Sequence, residues 1–225
     1  MGYDAARQLT RDILFASSPV VNMRILTVSD SVEPALYDDF QAEHFPGIEM
    51  ILACGDLPKE YLSFLVTMFN VPLFYVKGNH DDRPDGYKPG GCIDLDEKLV
   101  VHRGFRIMGF QGSHWYNGKP YQYTESQMRR KIRKVRMKIW WQKGVDIIVT
   151  HAPPHHIHDK DDLCHRGFKC FRMLIDRYAP SYFIHGHVHF NYTHNPQRMT
   201  EVNHTKVINS YGYFIFEIHD SQRME

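Results

Sequence analysis

Residues 73–81 read Leu-Phe-Tyr-Val-Lys-Gly-Asn-His-Asp, an apolar run from Leu73 to Val76 that stops at Gly78-Asn79-His80-Asp81. A short apolar stretch closed by turn residues is the pattern of a buried strand. What closes this one is unusual loop material, because Asn79, His80 and Asp81 can all bind metal or move protons. The same construction recurs on both sides of it. Residues 23–29 (MRILTVS) end at Asp30, and residues 49–54 (EMILAC) end at Gly55-Asp56. Residues 145–150 (VDIIVT) end at His151, and residues 182–185 run into Gly186-His187-Val188-His189.

Helical patterns lie between these strands. Residues 58–69 read as a helix with proline tolerated in its first turn. Residues 125–142 place Met128, Ile132, Val135 and Ile139 at i, i+4, i+7 and i+11, one apolar stripe. A third helix is expected over 168–178. Residues 99–102 and 105–110 read as a hairpin around Arg103-Gly104, and 206–208 with 213–218 as a closing hairpin. Strands alternating with helices argue for a layered α/β fold, and the hairpins for a mixed sheet or two packed sheets. Loops at 82–91, 112–124 and 155–167 are the expected substrate loops.

The chain has 225 residues, which suits one domain with a full core. Met23 opens the first strand, so the domain is read as 23–225 and residues 1–22 as an extension, with a short amphipathic helix over 4–15. The net charge is +1, so nothing global marks the chain for nucleic acid or a membrane. No run approaches the roughly 18 apolar residues of a membrane span, and the N-terminus lacks the apolar core of a secretory signal. The four cysteines form no CxxC pair, which points to a reducing compartment and a cytoplasmic location. Cys164, His165 and Cys170 fit no common zinc spacing.

Open α/β sheets place ligand sites beyond the carboxyl ends of their strands. A lone Asp or His at a strand end is usually a turn residue, a cap or a surface group. Five strand ends carrying Asp, Asp, Asn/His/Asp, His and His/His point instead to one convergent site. The glycines Gly55, Gly78 and Gly186 would allow tight turns and close backbone approach there. A mixed oxygen and nitrogen set without thiolate suits Mn, Fe, Zn, Co or Ni. This many ligands can hold two divalent metal ions about 3.5–4 Å apart, an arrangement that hydrolyses phosphate esters. His187 and His189, two apart, would project from one side of an extended segment.

The ordered series Asp30, Gly55-Asp56, Gly78-Asn79-His80-Asp81, His151 and Gly186-His187-Val188-His189 resembles the calcineurin-like metallophosphoesterases over residues 23–218. The resemblance implies a four-layer α/β/β/α sandwich of two mixed β-sheets flanked by helices. It implies a metal-dependent phosphoric ester hydrolase, a phosphodiesterase ahead of a phosphomonoesterase, with a metal-bridging hydroxide as nucleophile. It also implies two divalent ions, manganese first. Asp30 and His189 would hold the first metal, Asp56 would bridge, and Asn79, His151 and His187 would hold the second. His80 would sit beside the phosphate, and Asp81 would orient it. Within the family, Gly112-Ser113, Tyr116-Asn117, residues 121–125 and His165-Arg166-Gly167 are similar to a bacterial branch of small phosphoesterases. His165 and Arg166 are the candidate substrate contacts, with a capping or ion-pair role as the competing explanation.

One position departs from the family. Its first motif is D-x-H, and here Asp30-Ser31-Val32 puts valine where histidine is expected. The first site then keeps Asp30, Asp56 and His189, with water or Glu33 as a substitute ligand. A scaffold or binding module with a weakened site is the alternative that Val32 supports. From Arg129 to Lys138 seven of ten residues are basic. A solvated outer face is the simpler reading of that run, and a nuclease using it the competing one. Trp115, Trp140 and Trp141 could stack bases, although such residues more often pack a core or an oligomer interface.

Overall fold

The computed structural model describes residues 22–82, 86–189 and 197–219. The expected helix at 4–15 and part of the loop at 82–91 lie outside the described residues. Five strands form the first sheet: β1 (Asn22–Ser29), β2 (Met50–Ala53), β3 (Leu73–Tyr75), β4 (Ile93–Asp94) and β13 (Gly212–His219), in the order β13-β1-β2-β3-β4. β1 to β4 run parallel, and β13 closes the edge antiparallel to β1. The second sheet has the order β11-β12-β10-β9-β6-β5, built from β5 (Leu99–His102), β6 (Phe105–Phe110), β9 (Ile147–Thr150), β10 (Tyr182–His185), β11 (Met199–Val202) and β12 (Thr205–Asn209). Its four inner strands are parallel and its edges antiparallel. A short pair, β7 (Ser113–His114) and β8 (Gln122–Tyr123), stands apart.

Three apolar layers hold these sheets together, and strand alternation decides which residue joins which layer. On β9, Ile147 and Val149 face the first sheet, where they meet Ile25, Leu52 and Phe74, while Ile148 faces outward. Outside the first sheet, Leu26, Val28 and Ile51 pack on Tyr61, Leu62 and Leu65 of α1 (Lys59–Phe69). Outside the second, Ile148, Phe110 and Phe183 pack on α2 (Glu125–Trp141) and α3 (Lys169–Tyr178). The result is the four-layer α/β/β/α arrangement. The expected stripe of α2 is the buried one, Met128, Ile132, Val135 and Ile139, and the helix starts at a capping box between Thr124 and Gln127. The β5–β6 hairpin forms around Arg103 (φ 46°) and Gly104 (φ 85°), left-handed at both turn positions.

The closing hairpin is a correction. β12 and β13 do not pair; β12 lies between β10 and β11, and β13 crosses to the other sheet beside β1. The chain turns between them where Ser210 N–H donates to His185 O at 2.7 Å and Gly212 takes φ 71°. The hairpin partner of β12 is β11, turning at Asn203 (φ 56°). Its sequence, MTEV, is too polar to stand out as a strand. Among the described residues no helix is long and apolar enough to cross a membrane.

Candidate metal centre

Because β1, β2 and β3 are parallel, and β6, β9 and β10 likewise, their carboxyl ends reach the same edge of the sandwich. The chain must turn sharply there, and Asp30 (φ 64°), Asp56 (φ 57°) and His187 (φ 67°) all sit in left-handed backbone. Asp and His bearing positive φ just past a strand is a conformation that the surroundings must enforce. Neighbouring turns touch through glycine. A Cβ on Gly78 would stand 2.0 Å from Asp56 Oδ1, and one on Gly186 1.8 Å from Ser29 Oγ.

His151 is the centre of the cluster. It is fully buried, and its Nδ1–H donates to Cys54 O at 2.7 Å. That bond turns Nε2 inward, 3.0 Å from Asn79 Oδ1 and 3.2 Å from Asp56 Oδ2. Holding one ring nitrogen on a carbonyl so that the other faces a site is how ligand histidines are oriented. The His187 ring lies 4.7 Å from the His151 ring, and its Nε2–H donates to Cys164 O at 2.7 Å. Ligand atoms of Asp56, His151 and His187 all fall within 4.8 Å of one another. Asp30 adds a buried carboxylate: its Oδ2 accepts from His187 N–H at 2.8 Å, while Oδ1 is buried without a hydrogen-bond partner. His189, 60% exposed at its side chain, places Nε2 3.7 Å from that oxygen.

The electrostatics follow from this crowding. Burial opposes ionisation of Asp56, but the His151 charge and the His80 amide hold its carboxyl below the usual range. Burial opposes a charge on His151 too, yet Asp56 and Asp30 lift its imidazole to about 9. His187 moves down, by burial first and then by the positive neighbour His151. Two rings this close do not both carry a positive charge, and carboxylates gather around the one that does.

Each residue expected from the sequence can now be placed. Asp30, Asp56, Asn79, His151 and His187 come together, with His189 at the margin. The extended geometry expected for His187 and His189 is corrected, because the left-handed φ of His187 sends its ring inward and leaves that of His189 near the surface. His80 is exposed at the mouth, and its N–H donates to Asp56 Oδ1 at 2.7 Å. Asp81 does not reach the His80 ring. Its Oδ2 accepts from Gly78 N–H at 2.7 Å and Asp56 N–H at 2.9 Å, so it clamps two turns to each other. Burial and the charge of Asp56 raise its carboxyl to about 6. The His165 ring lies tilted against that of His187 at 5.2 Å and bonds to Asp162 at 2.9 Å, whereas Arg166 is exposed and, among the described residues, reaches Asp161 O at 3.4 Å. Val32 packs toward the α1 layer, and the Glu33 carboxylate lies beside Gly212.

Sequence reasoning gave no role to Tyr116, whose hydroxyl accepts from Asn79 Nδ2 at 3.3 Å. Its loop is shaped by Gln122, whose Oε1 accepts the N–H groups of Tyr116, Asn117 and Gly118 at 3.1–3.2 Å. The signal was available, since β6 ends at the same edge and the Tyr116 loop follows it. His158 and His185 were passed over as well. Thr200 Oγ1–H donates to His158 Nε2 at 2.8 Å, His158 Nδ1–H to His185 Nε2 at 3.0 Å, and His185 Nδ1–H to Gly186 O at 2.9 Å. This relay pins the loop that carries Cys164 and His165 to the turn that carries His187.

Known proteins resemble this chain in sequence and in fold. The sequence profile of the calcineurin-like phosphoesterases matches residues 23–191. Metallophosphoesterase domain-containing protein 1 of Homo sapiens is 25% identical over 160 residues, 61% of this chain and 47% of that protein, and the Mus musculus protein matches equally. The chain thus spans about half the length of these relatives. Among solved structures, TT1561 of Thermus thermophilus superposes with a TM-score of 0.62 at 18% identity, over 85% of this chain and 90% of that one. The anchor of the inner membrane complex of Plasmodium gives 0.51 at 12% identity, over 87% and 81%. At such identities these two likenesses speak for the fold alone. The profile covers three quarters of the sequence and every turn of the cluster, and by it this chain belongs to the calcineurin-like phosphoesterase family.

Proposed function

We propose that the chain hydrolyses phosphate esters, diesters ahead of monoesters, at a centre of two divalent metal ions held by Asp30, Asp56, Asn79, His151, His187 and His189. One observation carries this reading: Asp56 Oδ2 and Asn79 Oδ1 both aim at His151 Nε2, from three separate strands. The donor set fits such ions. It is oxygen and imidazole nitrogen without thiolate, which suits manganese or another first-row ion. The buried Oδ1 of Asp30 has no hydrogen-bond partner among the described residues, only the His189 ring at 3.7 Å, as an oxygen meant for a cation would. Metal ions bound there would supply Lewis-acid charge at the phosphoryl oxygens and lower the pKa of water.

The chain's own groups supply the rest. His80, exposed at the mouth, would donate the proton to a leaving oxygen. Asp81 holds Asp56 and Gly78 in register, so its part is to position ligands. The Tyr116 hydroxyl faces the same space from above Asn79. His165 lines the approach beside His187, and Arg166 points away into its own loop. An open mouth with exposed His80 and His189 favours substrates carrying groups on both sides of the phosphorus.

The test is hydrolysis of bis-p-nitrophenyl phosphate beside p-nitrophenyl phosphate, after chelator stripping and resupply of Mn²⁺. Metal-dependent turnover, reduced at least a hundredfold in Asp56→Asn, is the expected result. No turnover with any first-row ion would overturn the reading and make Val32 the mark of a binding module.

A further inference from the structure

The seven cations of residues 129–138 do not form one face. Lys131 is buried and bonds to Asp96 at 2.8 Å and Glu97 at 2.9 Å; Lys134 meets Glu97 at 2.7 Å and Arg129 meets Glu125 at 3.2 Å. Arg133 and Arg136 have no carboxylate within ion-pair distance among the described residues, nor do Lys143 and Arg177 across the seam between α2 and α3. These four line one groove of about 910 Å³ with Trp140 and Tyr178. A hollow of about 250 Å³ continues it along the same seam, sharing Arg133, Arg136 and Arg177. No acidic residue lines either part. Trp140 and Trp141 are 72% and 77% exposed, and Met137 70%, so the core reading of these tryptophans is set aside.

The groove is remote from the metal centre. α2 returns through Gly144 to the start of β9, and α3 to the start of β10, whereas the metal centre lies past the other ends of both strands. Four residues of strand put about 13 Å between the two ends.

We propose that this groove binds single-stranded nucleic acid. The charged residues of this concave lining are all cations, which calls for a polyanion, and a planar lipid surface does not fill a groove. Arginine, three of the four cations, recognises phosphate through its flat fork of donors. Arg129, Arg133 and Arg136 recur at i, i+4 and i+7, rising along one helix face by about 6 and 4.5 Å. An exposed indole at the end of such a row is a platform for an unstacked base, which an acidic peptide would not use. The inference does not depend on the hydrolytic reading, because the groove stands apart from the metal site.

The test is fluorescence anisotropy of a fluorescein-labelled twenty-nucleotide oligo(dT) with the metal-stripped full chain, titrated between 50 and 200 mM NaCl. Four phosphate contacts predict a log–log salt slope of about −3. Arg133→Ala with Arg136→Ala would flatten that slope by about 1.4 units, and Trp140→Ala would weaken binding about five- to a hundredfold. Lys138→Ala, outside the groove lining, would change affinity less than about twofold. Should the double alanine variant melt below the wild type, Arg133→Gln with Arg136→Gln keeps the volume and removes the charge. Absence of binding at 50 mM NaCl would overturn the proposal. So would unchanged binding in the groove variants, equal affinity for a duplex, or tighter binding to a polyglutamate peptide or phosphatidylserine vesicles.

Discussion

His158→Gln tests whether the imidazole relay beneath the Gly186 turn holds the fold together as a pair of neutral rings. Gln can still bond to His185 and Thr200, but it does not titrate. Burial pushes the His158 imidazole from its ordinary 6.5 down to about 4, although Asp159 beside it pulls the other way. His185 faces it from β10, also pushed down by burial, and Thr200 faces it from β11 with an uncharged hydroxyl. Between pH 6.5 and 4 the unfolded chain therefore binds the proton that the folded chain refuses. Stability from this group is fully present above pH 6.5 and is lost as the pH falls toward 4. The displacement of about 2.5 units is worth about 3 kcal/mol at pH 4. In a chain of this size that is about 6–12 °C in melting temperature. Urea denaturation of metal-stripped wild type and variant at pH 7, 6, 5 and 4 reads it directly. The stability of wild type minus variant should fall by about 3 kcal/mol from pH 7 to pH 4. A difference that stays level within about 1 kcal/mol would refute the reasoning, because it would mean that His158 carries its proton in the folded state as easily as in the unfolded one.

Two further substitutions probe other parts of the structure. Tyr116→Phe removes the hydroxyl that faces Asn79, and kcat/KM for bis-p-nitrophenyl phosphate should fall about tenfold with melting unchanged, which steady-state kinetics and a thermal melt will show. Lys131→Met leaves Asp96 buried opposite a thioether. Burial already lifts the Asp96 carboxyl, and the two facing carboxylates lift Lys131, so the loss should cost about 3 kcal/mol in urea denaturation, with most of it recovered in Lys131→Met/Asp96→Asn.

The residues alone determined a good deal of this protein. Alternation and period placed the strands around Leu26, Leu52, Phe74, Ile148 and Ile184, and the α2 stripe, because a side chain's face depends only on local backbone geometry. The ligand turns were legible for the same reason: a polar cluster just past an apolar strand is a local pattern, and five of them named the metal centre. What surrounds each ligand was decided in three dimensions. Whether Asp81 meets His80 or two amides depends on the left-handed turn at Asp56 and on how Gly78 approaches it. Where His187 and His189 point depends on one φ angle. The partner of β12 was fixed by a strand pairing, and a pairing between residues far apart in the chain leaves no trace in the period of either strand. The same holds for Lys131: Arg129, Arg130, Arg133 and Lys134 around it are basic as well, and only packing against Asp96 and Glu97 separates this buried cation from those that line the groove.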